Sequence, residues 1–333
     1  MSIAARKEKR ERTTTMKALI KNWGYKAYIQ YVFPFSQNTI KYFSTFFALF
    51  GGCFTLSEIL ETVFNSRFLI ELFRHHWIAA TICAFVITLW LHKEKSECAA
   101  HLENSDRIIS LKLSNILDLK DTAIVVPTNT TFDTIMVDDF ISPKSIQGQF
   151  QKKFYGSDFS RLDEQLKDSL DKYYSNNYTV LQDRTNTNIN RYAIGTVARI
   201  TKKGQHFYFL AVADINRSGK TENVTMQNLI RALNGLWDYY AVNGHNEPIA
   251  IPVIGTGKGG LFDGTLENVV HETIKSFAIT SKEKFVAKAM TVCIYPPSLS
   301  KANTTWKNLC DFLDWICRFS AKGEPRTNYA NTK

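Results

Sequence analysis

Two apolar segments dominate the first hundred residues of the chain. The first is Ile40–Leu60, and the second, which holds no Asp, Glu, Lys or Arg, is Trp77–Leu91. At a helical rise of about 1.5 Å per residue, the second covers about 22 Å of a hydrocarbon core that is about 30 Å thick, whereas the first has roughly the full length. The second segment also lacks a polar face and has a Trp near each end, as interfacial anchors do. The pattern predicts a two-helix transmembrane hairpin over residues 36–95; two buried helices of a soluble domain are the alternative.

The charge around these segments predicts their orientation. The first 30 residues hold eight Lys or Arg against two Glu, whereas the loop Glu61–His76 holds two Arg against two Glu. Because basic residues stay on the cytoplasmic side of a bilayer, we expect a cytoplasmic arm over residues 1–35, a short external loop and a cytoplasmic chain after Lys93. The arm supplies part of the net charge of +10. Contact with anionic lipid explains that charge, so membrane lipid is an expected partner and nucleic acid is not.

Beyond the apolar segments, strand and helix patterns alternate, with a linker expected at 96–104, a domain at 105–322 and a flexible tail at 323–333. The runs that predict strands are Arg107–Leu113, Ala123–Pro127, Ile194–Ile200, Gln205–Ala213, Pro248–Ile254 and Val286–Tyr295. The runs that predict helices are Asp158–Tyr173, Val224–Tyr240, Leu266–Ile279 and Thr304–Phe319. This alternation predicts a mostly parallel sheet covered on both faces, which is a three-layer α/β/α domain with ligands beyond the carboxyl ends of the strands.

Residues 249–262 form the most informative stretch, an apolar strand followed by a glycine-rich loop. Glycines adopt positive φ readily and let backbone N–H groups converge on an anion, beside the positive end of a helix expected to begin near Thr265. The predicted diphosphate-binding residues are Gly255, Thr256, Gly257, Lys258, Gly259 and Gly260. A P-loop is excluded, because Leu261-Phe262 stands where its Lys and Ser or Thr would be. A dinucleotide fingerprint lacks its acidic residue, because the next predicted strand ends in Pro296-Pro297. A glycine-rich turn without a ligand is the remaining alternative.

Pro252–Gly257 resembles the diphosphate loop of macro domains, the modules that bind ADP-ribose and its derivatives. Ser114–Ile116 and Ala123–Asn129 stand upstream, at the separation of the family's GDI segment and its AIVNAAN strand. The match is in spacing more than in identity. Asn115 replaces the Asp that in the family accepts from the adenine amino group, and a Val replaces the first Asn of the strand. Asn129 keeps the second Asn.

The resemblance also implies a set of contacts on the adenine and ribose side of the ligand. These predicted residues are Asn115, Asn129, Thr130, Phe132, Asp133, Gln147 and Gly148. The family's run of glycines after the Asn-rich strand is missing, and its nearest counterpart is Ser145–Phe150. Because hydrolytic members position a water with that run and that strand, the resemblance favours binding over hydrolysis. Asp133 is the nearby acid–base candidate, but a carboxylate repels a diphosphate, so we expect it to hold a ribose hydroxyl or the distal group.

The cysteines predict neither a metal site nor a disulfide framework. They number six, with no CxxC pair and no clustered His. We expect buried free thiols in a reducing compartment.

Two apolar spans joined to a macro-like domain resemble the transmembrane–macro effectors of type II Thoeris anti-phage systems. In those systems a TIR-domain protein converts NAD into an ADP-ribose-derived signal. The resemblance implies a homo-oligomeric effector of the bacterial inner membrane that needs no cofactor. By this resemblance, the macro domain senses the signal, with ADP-ribose bearing a histidyl group as the expected form. The membrane segment is then expected to assemble, which leads to membrane disruption or host cell death. Alternatives are a membrane-tethered ADP-ribosyl hydrolase and a membrane scaffold with a ligand-free domain.

Overall fold

The structure, a computed structural model, describes residues 27–64, 75–93, 95–136, 141–182, 188–215, 224–255 and 264–319, with positions 24, 71, 221, 222 and 261. The chain divides into two compact units, Met1–Ser96 and Glu97–Lys333. Residues 1–23 of the predicted arm and the predicted tail lie outside the described residues. The organisation into arm, hairpin, domain and tail therefore stays a prediction.

The described part of the first unit contains two long helices that lie side by side. α1 is Thr39–Phe64 and α2 is Trp77–Leu91, and the short helical segments Tyr28–Val32 and Phe33–Gln37 precede them. Near the start of α1, the Tyr42 hydroxyl donates to the carbonyl oxygen of His92 over 3.0 Å, and the Thr45 hydroxyl lies 2.8 Å from His92 Nε2. Because His92 directly follows α2, these bonds join the start of one helix to the end of the other, and the pair is antiparallel.

The length of α1 supports one of the two predicted membrane spans. Among the described residues, Thr39–Val63 is the one helix long and apolar enough to cross a bilayer, and α2 is apolar but shorter. Only 6% of the most apolar window of α1 is buried, so it differs from the core helix of a soluble domain. On α2 the side chain of Trp90 is 68% exposed. Apolar surface of this extent requires a cover of lipid or protein.

The second unit is built on a mixed sheet. Its strands are β1 Glu97–His101, β2 Ile108–Leu113, β3 Ala123–Asn129, β4 Thr179–Val180, β5 Asn190–Arg191, β6 Val197–Lys202, β7 Gln205–Ile215, β8 Thr221–Glu222, β9 Ile249–Pro252 and β10 Ala289–Ile294. The main sheet has the order β1-β2-β10-β9-β3-β7-β6, with β8 paired to the end of β7, and β4 and β5 form a separate hairpin. Strands from β2 to β7 in this order run parallel, whereas β1 and β6 pair antiparallel at the edges.

Helices cover both faces of the sheet, as predicted. They are α3 Ile146–Phe154, α4 Ser160–Tyr174, α5 Met226–Asn243, α6 Leu266–Glu283 and α7 Trp306–Phe319. On one face, Phe207 of β7 packs 4.7 Å from Phe150 of α3, within a core that also includes α4. On the other face, the neighbouring Tyr208 packs 5.0 Å from Tyr240 of α5. α7 contacts β1, β2 and α6. Because successive residues of a strand point to opposite faces of the sheet, Phe207 and Tyr208 belong to two separate layers of the core.

Two segments differ from their predicted structure. The expected linker at 96–104 contains β1, whose residues Glu97–His101 pair with β2. This strand is short, and it alternates exposed with half-buried residues, so it lacks the apolar run of the central strands. Ser145–Phe150, the expected counterpart of a glycine loop, forms the start of α3, where the Ser145 hydroxyl caps the helix by accepting from Gly148 N over 3.0 Å.

The expectation of free thiols throughout is wrong for two cysteines. Cys98 of β1 and Cys310 of α7 form a disulfide across 212 residues of sequence. The free cysteines are Cys53 and Cys83, which are exposed, and Cys293 and Cys317, which are buried. The positions of the cysteines along the chain do not show that β1 and α7 are neighbours, because the strand itself was not predicted.

Two glycines allow α5 to approach the turn before β6. A Cβ atom on Gly235 would lie 2.4 Å from the carbonyl oxygen of Gly195, whose own φ is +93°. Backbone atoms cannot move aside to relieve such a contact as easily as the end of a flexible side chain can. Gly235→Ala should therefore destabilise the protein by roughly 1–3 kcal/mol, although helix propensity alone predicts a gain of about 1 kcal/mol.

Thermal melting tests this prediction against Asn234→Ala, at an exposed position on the same helix. The control should melt as the wild-type protein does or slightly higher. A stabilised Gly235→Ala variant would contradict the close approach.

Candidate functional site

The predicted site residues lie along one edge of the sheet, beyond the carboxyl ends of parallel strands. Asn129 ends β3, and Gly255 follows β9, which pairs with β3. Asn115 follows β2, and β2 is separated from β9 by β10 in the sheet. Its side-chain oxygen accepts from Leu117 N over 3.1 Å and so caps the turn Ile116–Asp118. The sheet order thus places the three predicted groups at the ends of β2, β9 and β3.

A buried turn after β3 forms the polar centre of this edge. The Asn129 side chain donates to Asp133 Oδ2 over 3.0 Å, and its oxygen accepts from the Asp133 amide over 3.1 Å. Thr131 donates to the same Asp133 oxygen over 2.6 Å. Asn129, Thr131 and Asp133 are each at most 9% exposed. These bonds hold the turn in one conformation, and such order would lower the entropic cost of binding a ligand there.

Phe132 occupies a conformation that L-residues seldom adopt. Its φ is +53°, and its side chain is 1% exposed. The ring packs 5.7 Å from the ring of Tyr192, and the Phe132 carbonyl oxygen accepts from the Asn188 side chain over 3.1 Å. A left-handed non-glycine residue costs about 1–3 kcal/mol, so the surrounding contacts hold the turn in a strained form. Such strain is common where a site is organised in advance.

Gln147 and Gly148 lie near the start of α3, and Gln147 supports the turn. The Gln147 side-chain amide donates to the carbonyl oxygen of Asp133 over 2.7 Å, and Gln147 is buried. A Cβ atom on Gly148 would lie 2.3 Å from the carbonyl oxygen of Ser142, so this glycine serves close packing. Because a helix stands in place of an open glycine loop, Gln147 supports the turn from behind, and Gly148 packs against the segment before the helix.

The loop after β9 is closed at its base. Gly255 has a φ of +81°, and its carbonyl oxygen accepts from Leu261 N over 3.0 Å. Thr256, Gly257, Lys258, Gly259 and Gly260, the rest of the predicted diphosphate site, lie outside the described residues. Thr265 caps α6 by accepting from Asn268 N over 3.2 Å, so this helix begins where it was predicted.

Sequence reasoning missed a second polar group beside the turn. Asp214, near the end of β7, accepts from the Thr130 hydroxyl over 2.9 Å and forms an ion pair with Arg191. The predicted strand ended at Ala213, and an Asp directly after a central strand was the available signal. Thr134 was missed in the same way; its hydroxyl donates to Asp163 of α4 over 2.6 Å.

Asp163 gives a testable pH dependence. Burial raises the pKa of its carboxyl, the hydrogen bond from Thr134 opposes this, and the charge of Asp133 adds to it. A raised folded-state pKa contributes stability below the unfolded value, which is lost as the pH rises through the folded value. Asp163→Asn should therefore stabilise the protein at pH 7 and have little effect below about pH 4. The gain should not exceed about 1 kcal/mol, because the side chain is only half-buried.

Calorimetric melting at the two pH values measures this difference, with Asp168→Asn at an exposed position on the same helix as control. If Asp163→Asn destabilises the protein at pH 7, its hydrogen bond outweighs the burial of charge.

A family model and several known proteins are similar to this chain. The family model for the Thoeris protein ThsA macro domain matches residues 109–295. The Thoeris protein ThsA of Bacillus amyloliquefaciens (strain Y2) is 23% identical over 201 residues, which cover 59% of this chain and 65% of that protein. The Oceanobacillus iheyensis macrodomain with ADP superposes with a TM-score of 0.43 at 9% identity, covering 68% of this chain and 98% of that chain. Thermosipho africanus DarTG in complex with ADP-ribose gives 0.40 at 11% identity, covering 64% and 47%.

The mixed sheet with helices on both faces, together with the family match, defines the second unit as a macro domain. The match spans more than half of the chain, and the chain belongs to the Thoeris ThsA macro-domain family. The aligned region spans 65% of the length of the Bacillus relative.

Proposed function

We propose that the chain is a membrane-anchored Thoeris effector whose macro domain binds an ADP-ribose-derived signal made by a TIR-domain protein. The observation that carries the proposal is the buried turn Asn129–Asp133 beside the glycine loop that begins at Gly255, within the region that matches the ThsA family. The diphosphate binds the glycine loop, adenine lies toward Asn115, and the distal ribose lies toward the turn. A histidyl group on that ribose is the expected distal group. The protein needs no cofactor for this step.

We propose binding without hydrolysis because of how Asp133 is held. One of its carboxylate oxygens accepts from both Asn129 and Thr131. Both contacts fix the position of the carboxylate, which suits it to accept a hydrogen bond from a hydroxyl group of the ligand. We therefore assign Asp133 to the ribose hydroxyls of the ligand. Hydrolysis of an ADP-ribose linkage is the alternative, and turnover measured on the same sample distinguishes the two.

The apolar helices supply the proposed output. α1 is long enough to cross a bilayer, and α2 would form the second, shorter span of a hairpin in the inner membrane, with both termini cytoplasmic. A short span fits a bilayer poorly and gains from packing against other copies. A ligand can drive that assembly only through a higher affinity for the assembled state. In this account, the signal promotes oligomerisation, the membrane is disrupted, and the host cell dies.

Reconstitution of the full-length protein in dye-loaded vesicles tests the proposal. Histidine-conjugated ADP-ribose should raise the melting temperature of the protein and release dye from the vesicles. Chemical cross-linking should show larger oligomers in its presence, and chromatography should show that the ligand stays intact. NAD serves as the control nucleotide. Dye release without any dependence on the ligand, or binding without change in assembly, would refute the effector role. Conversion of the ligand to free ADP-ribose would favour the hydrolase.

A further inference from the structure

Arg191 lies beside the candidate site without a role in the proposed diphosphate contacts. It ends the short strand β5, and the next residue, Tyr192, donates its amide to the carbonyl oxygen of Thr130 over 2.9 Å. The ring of Tyr192 also packs against Phe132. Arg191 is therefore held next to the turn that follows β3 by its own backbone neighbour.

One carboxylate orients the Arg191 side chain. Asp214 forms an ion pair with the guanidinium, and its Oδ1 atom accepts from the Thr130 hydroxyl and from Ile215 N, each over 2.9 Å. The Asp214 side chain is 13% exposed, whereas that of Arg191 is 41% exposed. The Asp214 carboxylate is thus mostly enclosed, whereas the Arg191 side chain keeps a large accessible surface.

We propose that Arg191 binds an anionic group, a carboxylate or a phosphate, attached to the distal ribose of the nucleotide-sugar ligand. This inference rests on the proposed function, because it concerns the same site and the same ligand class. Arg191 would then select among ADP-ribose derivatives, and ADP-ribose without an anionic substituent would bind less tightly.

The chemistry of the guanidinium supports this role. It presents five N–H donors in a planar fork, and an ion pair with one carboxylate leaves donors for a second anion. A mostly enclosed carboxylate behind an arginine fixes its direction and reduces the rotamer entropy lost on binding. Paired N–H donors match the two oxygens of a carboxylate or a phosphate, and such charge-assisted bonds are about twice as strong as neutral ones.

A titration of the full-length protein in detergent tests the proposal with three ligands. They are ADP-ribose, ADP-ribose 1″-phosphate, and ADP-ribose joined at C1″ to an amino acid with a free carboxylate. The wild-type protein should bind at least one of the anionic derivatives roughly tenfold or more tightly than ADP-ribose. The derivative that binds more tightly identifies the anion as phosphate or carboxylate. Arg191→Gln should remove this preference while the affinity for ADP-ribose changes by less than about twofold, and Arg191→Lys should keep part of it.

The matched control is Arg161→Gln, which removes the same charge from an exposed position on α4. It should leave the preference unchanged, and melting curves show that each variant is folded. Equal affinities of the wild-type protein for all three ligands would overturn the proposal. An equal loss of affinity for all three ligands in Arg191→Gln would also overturn the proposal, because Arg191 would then only position the turn. Failure of the wild-type protein to bind any of the three would overturn the proposed function itself.

Discussion

Replacing Gly255 with valine should lower the affinity for ADP-ribose derivatives at least a hundredfold. The φ of +81° at this position strains any residue that has a Cβ atom, and that atom would lie 2.1 Å from Leu261 Cδ1. Leu261 N also donates to the Gly255 carbonyl oxygen, so the two ends of the loop are displaced together. Backbone donors aimed at a diphosphate lose most of their contribution after a shift of about 1 Å, since hydrogen bonds to charged groups are short and directional.

The control for this prediction is Gly156→Val. Gly156 has a similar φ of +72°, a Cβ atom there would have no heavy atom within 4 Å, and the residue lies after α3. This variant carries the backbone strain without a change at the loop. Calorimetric titration should show wild-type affinity for Gly156→Val and lost affinity for Gly255→Val. Wild-type affinity in both would remove the glycine loop from the site.

Removing the disulfide should lower the melting temperature of the second unit by about 10 °C or more. The bond between Cys98 and Cys310 closes a loop of 212 residues. In the chain-entropy account, a loop of that length contributes about 5 kcal/mol by restricting the unfolded state. For a domain of roughly 200 residues, 1 kcal/mol corresponds to about 2–4 °C. Because β1 is a short edge strand with no buried residue, it depends strongly on this bond to α7.

Melting curves of Cys310→Ser with and without dithiothreitol measure the effect. The reductant should lower the melting temperature of the wild-type protein and leave that of the variant unchanged. The double variant Cys98→Ser/Cys310→Ser should melt as the single variant does, because either change removes the same bond. Cys53→Ser, at an exposed thiol, is the control. A wild-type protein insensitive to the reductant would contradict a stabilising disulfide.

The central part of the fold was predictable because its strands are continuous apolar runs. Ala123–Asn129 and Gln205–Ile215 are buried on both faces, and strands of that kind differ clearly from their surroundings. Each was predicted within two residues of its observed ends. The edge strand β1 alternates exposed with half-buried residues, and α3 is short and polar on average. Neither segment has an apolar pattern strong enough to predict its secondary structure from the sequence.

The candidate site was predictable where one segment of chain builds it. Asn129 and Asp133 are four residues apart, and their hydrogen bond is local. The group around Asp214 joins the ends of three strands that are distant in sequence, and only the sheet order brings Thr130, Arg191 and Asp214 together. The disulfide escaped prediction for the same reason. Contacts of this kind depend on topology and cannot be obtained from local patterns.

A calorimetric titration of the purified protein with ADP-ribose and its histidine conjugate tests whether the macro domain binds a nucleotide sugar. We expect saturable binding with one ligand per chain, and a rise in melting temperature with ligand concentration that follows the measured affinity. If neither ligand produces heat or a shift in melting temperature, the edge of the sheet that contains Gly255 and Asp133 does not bind a nucleotide sugar, and the account is wrong.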